Sequence, residues 1–132
     1  MYDYVYERWK YVSDPAGRDY YAYASETIQN GFAGDCDDYS ILIAALVEAI
    51  GFKSRLLVVS NSEGQHMCPE VYVGPENAKT KRVLDRVLER YGIDRVNYHV
   101  DGRGRVWLNL DSTVEYPGGP FHQGKIVEII YP

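Results

Sequence analysis

Three side chains in this sequence have the types that nucleophilic catalysis requires: Cys36, His66 and Asp111. Cys36 follows the glycine-bounded segment 31–34 and Asp35, so we expect it in the first turn of a helix. Backbone N–H groups and the positive end of the helix dipole favour a thiolate there, and the thiolate is the nucleophilic form of cysteine. The position therefore predicts a catalytic thiol, although most cysteines are buried and inert.

His66 and Asp111 could complete a proton-transfer system with Cys36. His66 opens a predicted strand, and Asp111 ends another strand in which Trp107, Asn109 and Asp111 share one face. If the two strands are neighbours, Asp111 can accept a hydrogen bond from one imidazole nitrogen while the other takes the thiol proton. Spacing alone does not establish that they are neighbours. Each residue also has an ordinary structural role. A histidine at the start of a strand is usually structural or faces solvent, and an aspartate after a strand is commonly a turn former.

Other polar residues near Cys36 are candidates for supporting roles. Gln29 and Asn30 precede the glycine-bounded segment, and either amide could stabilise an oxyanion or cap the preceding helix. Asp37 and Asp38 lie in the first helical turn, where we expect a capping or solvated role. His99 and His122 have no comparable sequence context, and we expect both at the surface.

Cys68 is the second of two cysteines in the sequence, and it lies two residues after His66. Alternate residues of a strand face the same way, so Cys68 should look toward the same region as His66. Cys36, His66 and Cys68 could therefore bind zinc, or Cys36 and Cys68 could form a disulfide. Four zinc ligands with the usual spacings are missing, so we expect no metal and no other cofactor.

Periodicity predicts the elements that position these residues. The predicted helices cover residues 2–12, 24–30, 36–50 and 76–91, and the predicted strands cover 53–60, 65–73, 95–100, 105–110 and 125–131. The helix from Cys36 is apolar on nearly all sides, which predicts a central, buried helix. Residues 101–104 (Asp-Gly-Arg-Gly) predict a hairpin, and Pro69 should lie on an edge strand or at a bulge. Helices followed by mostly antiparallel strands predict an α+β fold, with one domain over residues 1–132.

The composition restricts the partners and the location of the protein. The 132 residues carry a formal net charge of −5, which argues against nucleic acid as the main partner. The longest apolar run, Ile41–Val47, is too short for a membrane span, which needs about 20 residues. Met1 is not followed by the basic and apolar stretches of a signal peptide. The location stays open, because the chain could be an extracytoplasmic domain of a longer, membrane-anchored protein.

Three segments, taken together, resemble the transglutaminase-like superfamily. They are Gly34-Asp35-Cys36-Asp37-Asp38-Tyr39 with the helix that ends at Gly51-Phe52, the strand opened by Gln65-His66, and Trp107-Leu108-Asn109-Leu110-Asp111-Ser112-Thr113. Their order is the family order of cysteine, histidine and aspartate, and the resemblance covers most of residues 9–113. Residues 11–15 and 26–28 are similar to the bacterial transglutaminase-like cysteine proteinases. Cys68 departs from the pattern, since the family commonly has an aromatic residue there.

The resemblance implies a papain-like core, in which N-terminal helices and a buried nucleophile helix pack on a mainly antiparallel sheet. It also implies a Cys36–His66–Asp111 triad that attacks an amide of a protein or peptide substrate, with water favoured over an amine as acceptor. Some of the similar bacterial proteinases bind calcium near the cysteine segment, so the resemblance makes Asp37 and Asp38 candidate calcium ligands, with the capping or solvated role the better interpretation. The alternative is a catalytically silent domain that keeps this fold and binds a partner. A zinc-bound structural domain is a third hypothesis.

Overall fold

The computed structural model describes residues 10–11, 33–34, 36–111 and 116–132, and the side chains from residue 38 onward in those ranges. Its elements, in chain order, are β1 Lys10–Tyr11, β2 Ala33–Gly34, α1 Cys36–Ala49, β3 Ser54–Asn61, β4 Gly64–Pro75, α2 Ala78–Tyr91, β5 Tyr98–Val100, β6 Arg105–Asn109 and β7 Lys125–Ile130. From α1 onward, these bounds lie within three residues of the predicted ones. The strand and helix periods of the sequence therefore predict the local structure of this region.

The described strands form two sheets. β1 and β2 pair in parallel, and the other five strands form an antiparallel sheet in the order β5-β6-β4-β3-β7. The predicted α+β class with a mainly antiparallel sheet is confirmed. The predicted hairpin is also confirmed, because β5 pairs with β6 across residues 101–104, with Val100 opposite Val106.

The segment before α1 differs from its prediction. Lys10 and Tyr11, at the end of the predicted first helix, form a strand that pairs with Ala33 and Gly34. The helix prediction is therefore wrong at these two positions, and part of the glycine-bounded segment 31–34 is also a strand. The pairing satisfies backbone polar groups immediately before the helix of Cys36. The remainder of the predicted helix 2–12 and the predicted helix 24–30 lie outside the described residues.

Helix α1 packs against β3 and β4 along one side. Its buried residues form two apolar clusters with the sheet: Tyr39, Leu42, Ile43 and Val47 with Leu110, and Ala44 with Leu56 and Met67. Ala45, Glu48 and Ala49 are exposed. The prediction of a helix buried on all sides is therefore wrong toward its C-terminus, where only the side facing the sheet is covered.

Helix α2 covers the same face of the sheet at β4 and β6, where Leu84 packs on Val106 and Leu108. It begins after Asn77, whose side-chain oxygen accepts a hydrogen bond from the Thr80 N–H. In the part of the chain that the structure describes, neither helix has the length and apolar character needed to cross a membrane.

Pro69 lies in β4, the central strand of the five, opposite Leu56 of β3. The prediction of an edge or bulge position is wrong. Its carbonyl accepts a hydrogen bond from the Leu110 N–H at 2.9 Å, so the nitrogen that lacks a hydrogen also faces the β6 side. β6 ends at Asn109, one residue before that position. The proline therefore removes a ladder bond only where the pairing of β4 with β6 already ends. Beyond Asn109, the residues that follow β6 leave the sheet toward Asp111.

Candidate active site

His66 lies on β4, and Asp111 lies two residues beyond the end of the neighbouring strand β6. His66 Nε2 lies 2.8 Å from Asp111 Oδ1. The Asp111 side chain is fully buried, whereas 13% of the His66 side chain is exposed. A carboxylate can only accept a hydrogen bond, so Nε2 carries the proton in this pair. The other ring nitrogen, Nδ1, is then the atom that can accept a proton from a reacting group.

The position of Asp111 is set by backbone contacts beyond the end of β6. The Leu110 N–H donates to the Pro69 carbonyl, and the Asp111 N–H donates to Asn109 Oδ1 at 3.2 Å. The Asn109 amide nitrogen in turn donates to the Gly119 carbonyl at 3.0 Å. These bonds connect the aspartate to the central strand on one side and to the loop before β7 on the other.

Cys68 lies beside the same aspartate, with its Sγ atom 3.6 Å from Asp111 Oδ2. Burial raises the pKa of the Cys68 thiol from an ordinary 9.0 to about 11, and the charge of Asp111 also raises it. Cys68 is therefore a neutral thiol that donates to Asp111, and it is not a nucleophile at neutral pH. It is a free thiol in the structure, so the alternative of a disulfide with Cys36 is wrong.

His122 stacks on His66, with ring centroids 4.1 Å apart and ring planes 30° from parallel. It is half-buried, and its Nε2 accepts a hydrogen bond from the Asn61 side-chain amide at 3.2 Å. His122 is predicted at the surface, and the structure instead places it half-buried against His66. The sequence carries no signal for this contact, because His122 lies in an irregular loop that only tertiary structure brings to β4.

The His99 side chain is 32% exposed, which is compatible with the predicted surface position, but it also has partners within the fold. Its Nδ1 donates to Glu70 Oε2 at 2.5 Å, and its ring stacks on Phe121 with centroids 4.1 Å apart. The other Glu70 oxygen, Oε1, accepts from Arg55 Nε at 2.8 Å. These residues form a second polar cluster on the sheet face that carries His66 and Asp111.

A cavity of about 360 Å³ opens on this face of the sheet. Its wall includes the Cys68 thiol and the ring of His122, together with the apolar side chains of Leu57, Val59 and Ile126. The cavity therefore reaches two residues that contact the His66–Asp111 pair.

The structure describes only some of the other predicted site residues. Cys36 is the first residue of α1, so the predicted helix start is confirmed, but its side chain and that of Asp37 lie outside the description. Gln29 and Asn30 also lie outside the described residues. Asp38 is only 6% exposed, so a solvated role is wrong for this residue.

Solved structures with a similar fold are known. LapG from Legionella pneumophila in its calcium-bound form is 20% identical to this chain, with a TM-score of 0.55. A second structure of that protein gives a TM-score of 0.54 at 20% identity, and a candidate cysteine protease from Cytophaga hutchinsonii gives 0.50 at 18%. The likeness covers 88% of this chain, 54% of each LapG chain and 30% of the Cytophaga chain. This chain thus spans about half the length of LapG, and identities this low show a shared fold alone.

No functionally curated protein matches this sequence. A family model described as the transglutaminase-like superfamily matches residues 1–112. The match spans most of the chain, including Cys36, His66 and Asp111, and the antiparallel sheet and helix α1 agree with such a core. The chain therefore belongs to the transglutaminase-like superfamily.

Proposed function

We propose that this protein is a thiol-dependent hydrolase that cleaves an amide bond of a protein or peptide substrate. Cys36 is the nucleophile, His66 is the general base and then the general acid, and Asp111 orients His66. We also propose that residues 1–132 form a single domain, since β7 pairs with β3 and so places residues 125–130 in the same sheet.

The observation that carries this proposal is the buried pair of His66 and Asp111. A 2.8 Å contact between Nε2 and a fully buried carboxylate fixes the imidazole ring and its tautomer. Cys36, at the start of α1, has the backbone environment that favours a thiolate. Membership of the transglutaminase-like superfamily supports the same assignment.

The proposed reaction proceeds through a thioester. The Cys36 thiol gives its proton to His66 Nδ1, and Sγ forms a bond to the substrate carbonyl carbon. The imidazolium then protonates the leaving amine as the C–N bond breaks. Water attacks the thioester and gives a proton to His66, and the C–S bond then breaks as the imidazolium returns that proton to Sγ, which releases the acid and the free thiol. Asp111 remains a carboxylate throughout and stabilises the imidazolium through Nε2–H.

The test is the pH dependence of iodoacetamide labelling at Cys36 in reduced, metal-free protein, resolved by mass spectrometry. We expect fast labelling with an apparent pKa well below the free-thiol value of about 8.5. His66→Ala should remove this activation. Cys68→Ser should leave it in place, since Cys68 is a buried neutral thiol and a serine hydroxyl still donates to Asp111.

Slow labelling with an ordinary pKa would contradict the catalytic assignment and favour the silent binding domain. With an activated thiol established, incubation with unfolded protein substrates tests hydrolysis directly. The unsubstituted protein should generate new peptide termini in the substrate, and Cys36→Ala should generate none. Incorporation of a labelled amine in place of hydrolysis would identify a transferase.

A further inference from the structure

His66, Cys68 and Asp111 bring a nitrogen, a sulfur and an oxygen donor to one point of the structure. Their ligand atoms all lie within 4.8 Å of one another. Cys68 Sγ is 3.6 Å from Asp111 Oδ2, and His66 Nε2 is 2.8 Å from Asp111 Oδ1. Among the residues that the structure describes, this is one group of three such side chains that could hold a metal ion.

We propose that His66 Nε2, Cys68 Sγ and an Asp111 oxygen bind a zinc ion, and that the bound ion reversibly inactivates the catalytic pair. The binding site follows from the three side chains themselves. Its inhibitory effect rests on the proposed function of His66 and Asp111. The set differs from the zinc alternative drawn from the sequence, because Asp111 takes the place of Cys36.

The three ligand atoms lie within 4.8 Å of one another, and the two short contacts use different Asp111 oxygens, so the carboxylate must turn to bring one oxygen to the ion. Zinc bonds of about 2.0–2.3 Å to nitrogen, oxygen and sulfur put neighbouring ligand atoms about 3.4–3.6 Å apart. The separation of Cys68 and Asp111 already has this value. His66 and Asp111 must move apart by about 0.6 Å, which exchanges their hydrogen bond for two metal bonds. Zinc takes the place of the Cys68 thiol proton, which is released to solvent, and a fourth position remains for water.

The surroundings provide support and access for the ion. The backbone of Asp111 is fixed by Asn109, and the ring of His66 is stacked on His122. Such contacts hold metal ligands in their orientation. Cys68 forms part of the wall of the 360 Å³ cavity, which gives a route to the thiol from solvent.

Zinc at Nε2 would oppose catalysis through the tautomer of His66. The metal takes the Nε2 lone pair, so the ring proton of a neutral imidazole must lie on Nδ1. Nδ1 is the atom that accepts the Cys36 proton in the proposed reaction. The occupied site therefore removes both the general base and its hydrogen bond to Asp111.

The binding test uses the full chain with Cys36→Ala, reduced and stripped of metal. Only two cysteines occur in the sequence, so Cys68 is then the sole thiol. Cobalt(II) should bind in one equivalent with a thiolate-to-metal absorption band, and zinc should displace it. Adding Cys68→Ser should abolish the band and weaken zinc binding at least about 100-fold. Replacing a residue that only supports a metal ligand already lowers metal affinity about 10–100-fold. His99→Gln in the same background is the matched control, because the contacts of this histidine are with Glu70 and Phe121, and it should retain both.

Absence of the thiolate band, or equal zinc affinity with and without Cys68→Ser, would overturn the site. These results do not depend on Cys36, so they stay separate from a failure of the proposed hydrolase. Inhibition is measured with Cys36 present, as slower iodoacetamide labelling of Cys36 on adding zinc. The slowing should disappear in Cys68→Ser, and equal slowing in both proteins would overturn the inhibitory role.

Discussion

Asp111 has two carboxylate oxygens, and each has a different partner. Oδ1 accepts from His66 and Oδ2 accepts from the Cys68 thiol. The second contact holds the carboxylate plane in place while the first orients the imidazole. A protonated thiol suits this role, because a thiolate beside a buried carboxylate would be repelled.

The raised pKa of Cys68 predicts a stability difference at alkaline pH. Below about pH 9 the thiol is protonated in the folded and unfolded states, so its contribution is fully present. Between pH 9 and about 11 the unfolded chain loses this proton and the folded chain keeps it, so the free energy of unfolding falls. A shift of this size corresponds to about 2–3 kcal/mol.

Cys68→Ser should therefore lose less stability than the native chain between pH 8 and pH 11. Urea unfolding of both proteins with a metal chelator present measures the difference. Tyrosine, lysine and Cys36 titrate in both chains, so their effects cancel in the comparison. Identical pH dependence would show that Cys68 does not titrate with a raised pKa.

At the scale of elements, β4 has the central place in the site. It carries His66 and Cys68 on one face and contacts helix α1 with the other, through Met67. Its ladder with β6 contains a bulge between Tyr72 and Gly74, where Gly74 has φ +136°. A side chain at Gly74 would also collide with the Thr80 hydroxyl in the first turn of α2. The bulge and the helix start thus depend on the same glycine.

The start of helix α2 gives a prediction that is separate from the site. Asn77 caps this helix by accepting from the Thr80 N–H at 2.9 Å, so Asn77→Ala should lower the free energy of unfolding by about 1 kcal/mol. Asn77→Asp keeps an acceptor and should cost less. Both proteins should show native labelling kinetics at Cys36, and a large change in labelling would indicate that α2 takes part in the site. Denaturant unfolding measures the stabilities.

At the scale of the whole molecule, a buried ion pair joins β3 to β4 and, through His99, to β5. The side chains of Arg55 and Glu70 are 4% and 1% exposed, and their contact is 2.8 Å. The Arg55 guanidinium also lies 4.5 Å from the centroid of the Trp107 ring. Each of the two buried charges therefore has a second partner, which is the His99 ring for Glu70 and the Trp107 ring for Arg55.

Glu70→Gln should destabilise the protein by about 3–5 kcal/mol, because it leaves the Arg55 guanidinium buried without its carboxylate. The matched control is the double variant with Arg55→Met, which removes the second charge as well. The double variant should lose clearly less free energy of unfolding than the sum of the losses of the two single variants. Urea unfolding midpoints measure all four proteins, and additive losses would contradict an interaction between the two side chains.

Much of this protein is predictable from local sequence. The helix that begins at Cys36, the hairpin at residues 101–104 and the alternation along β6 follow from caps, turn residues and periodicity. Where local sequence rules gave a wrong prediction, a tertiary contact explains the difference. Pro69 is tolerated in the central strand only because β6 ends beside it, and Lys10 and Tyr11 form a strand because Ala33 and Gly34 pair with them.

The sequence by itself determined the residue types of the site, their order along the chain and the elements that carry them. The tertiary structure decided their juxtaposition, because strand pairing joins positions 45 residues apart, as for His66 and Asp111. It also decided the contacts of His122 and His99, which come from an irregular loop and a short strand. Periodicity is a local property, whereas the contact of two distant side chains depends on how the whole sheet is assembled.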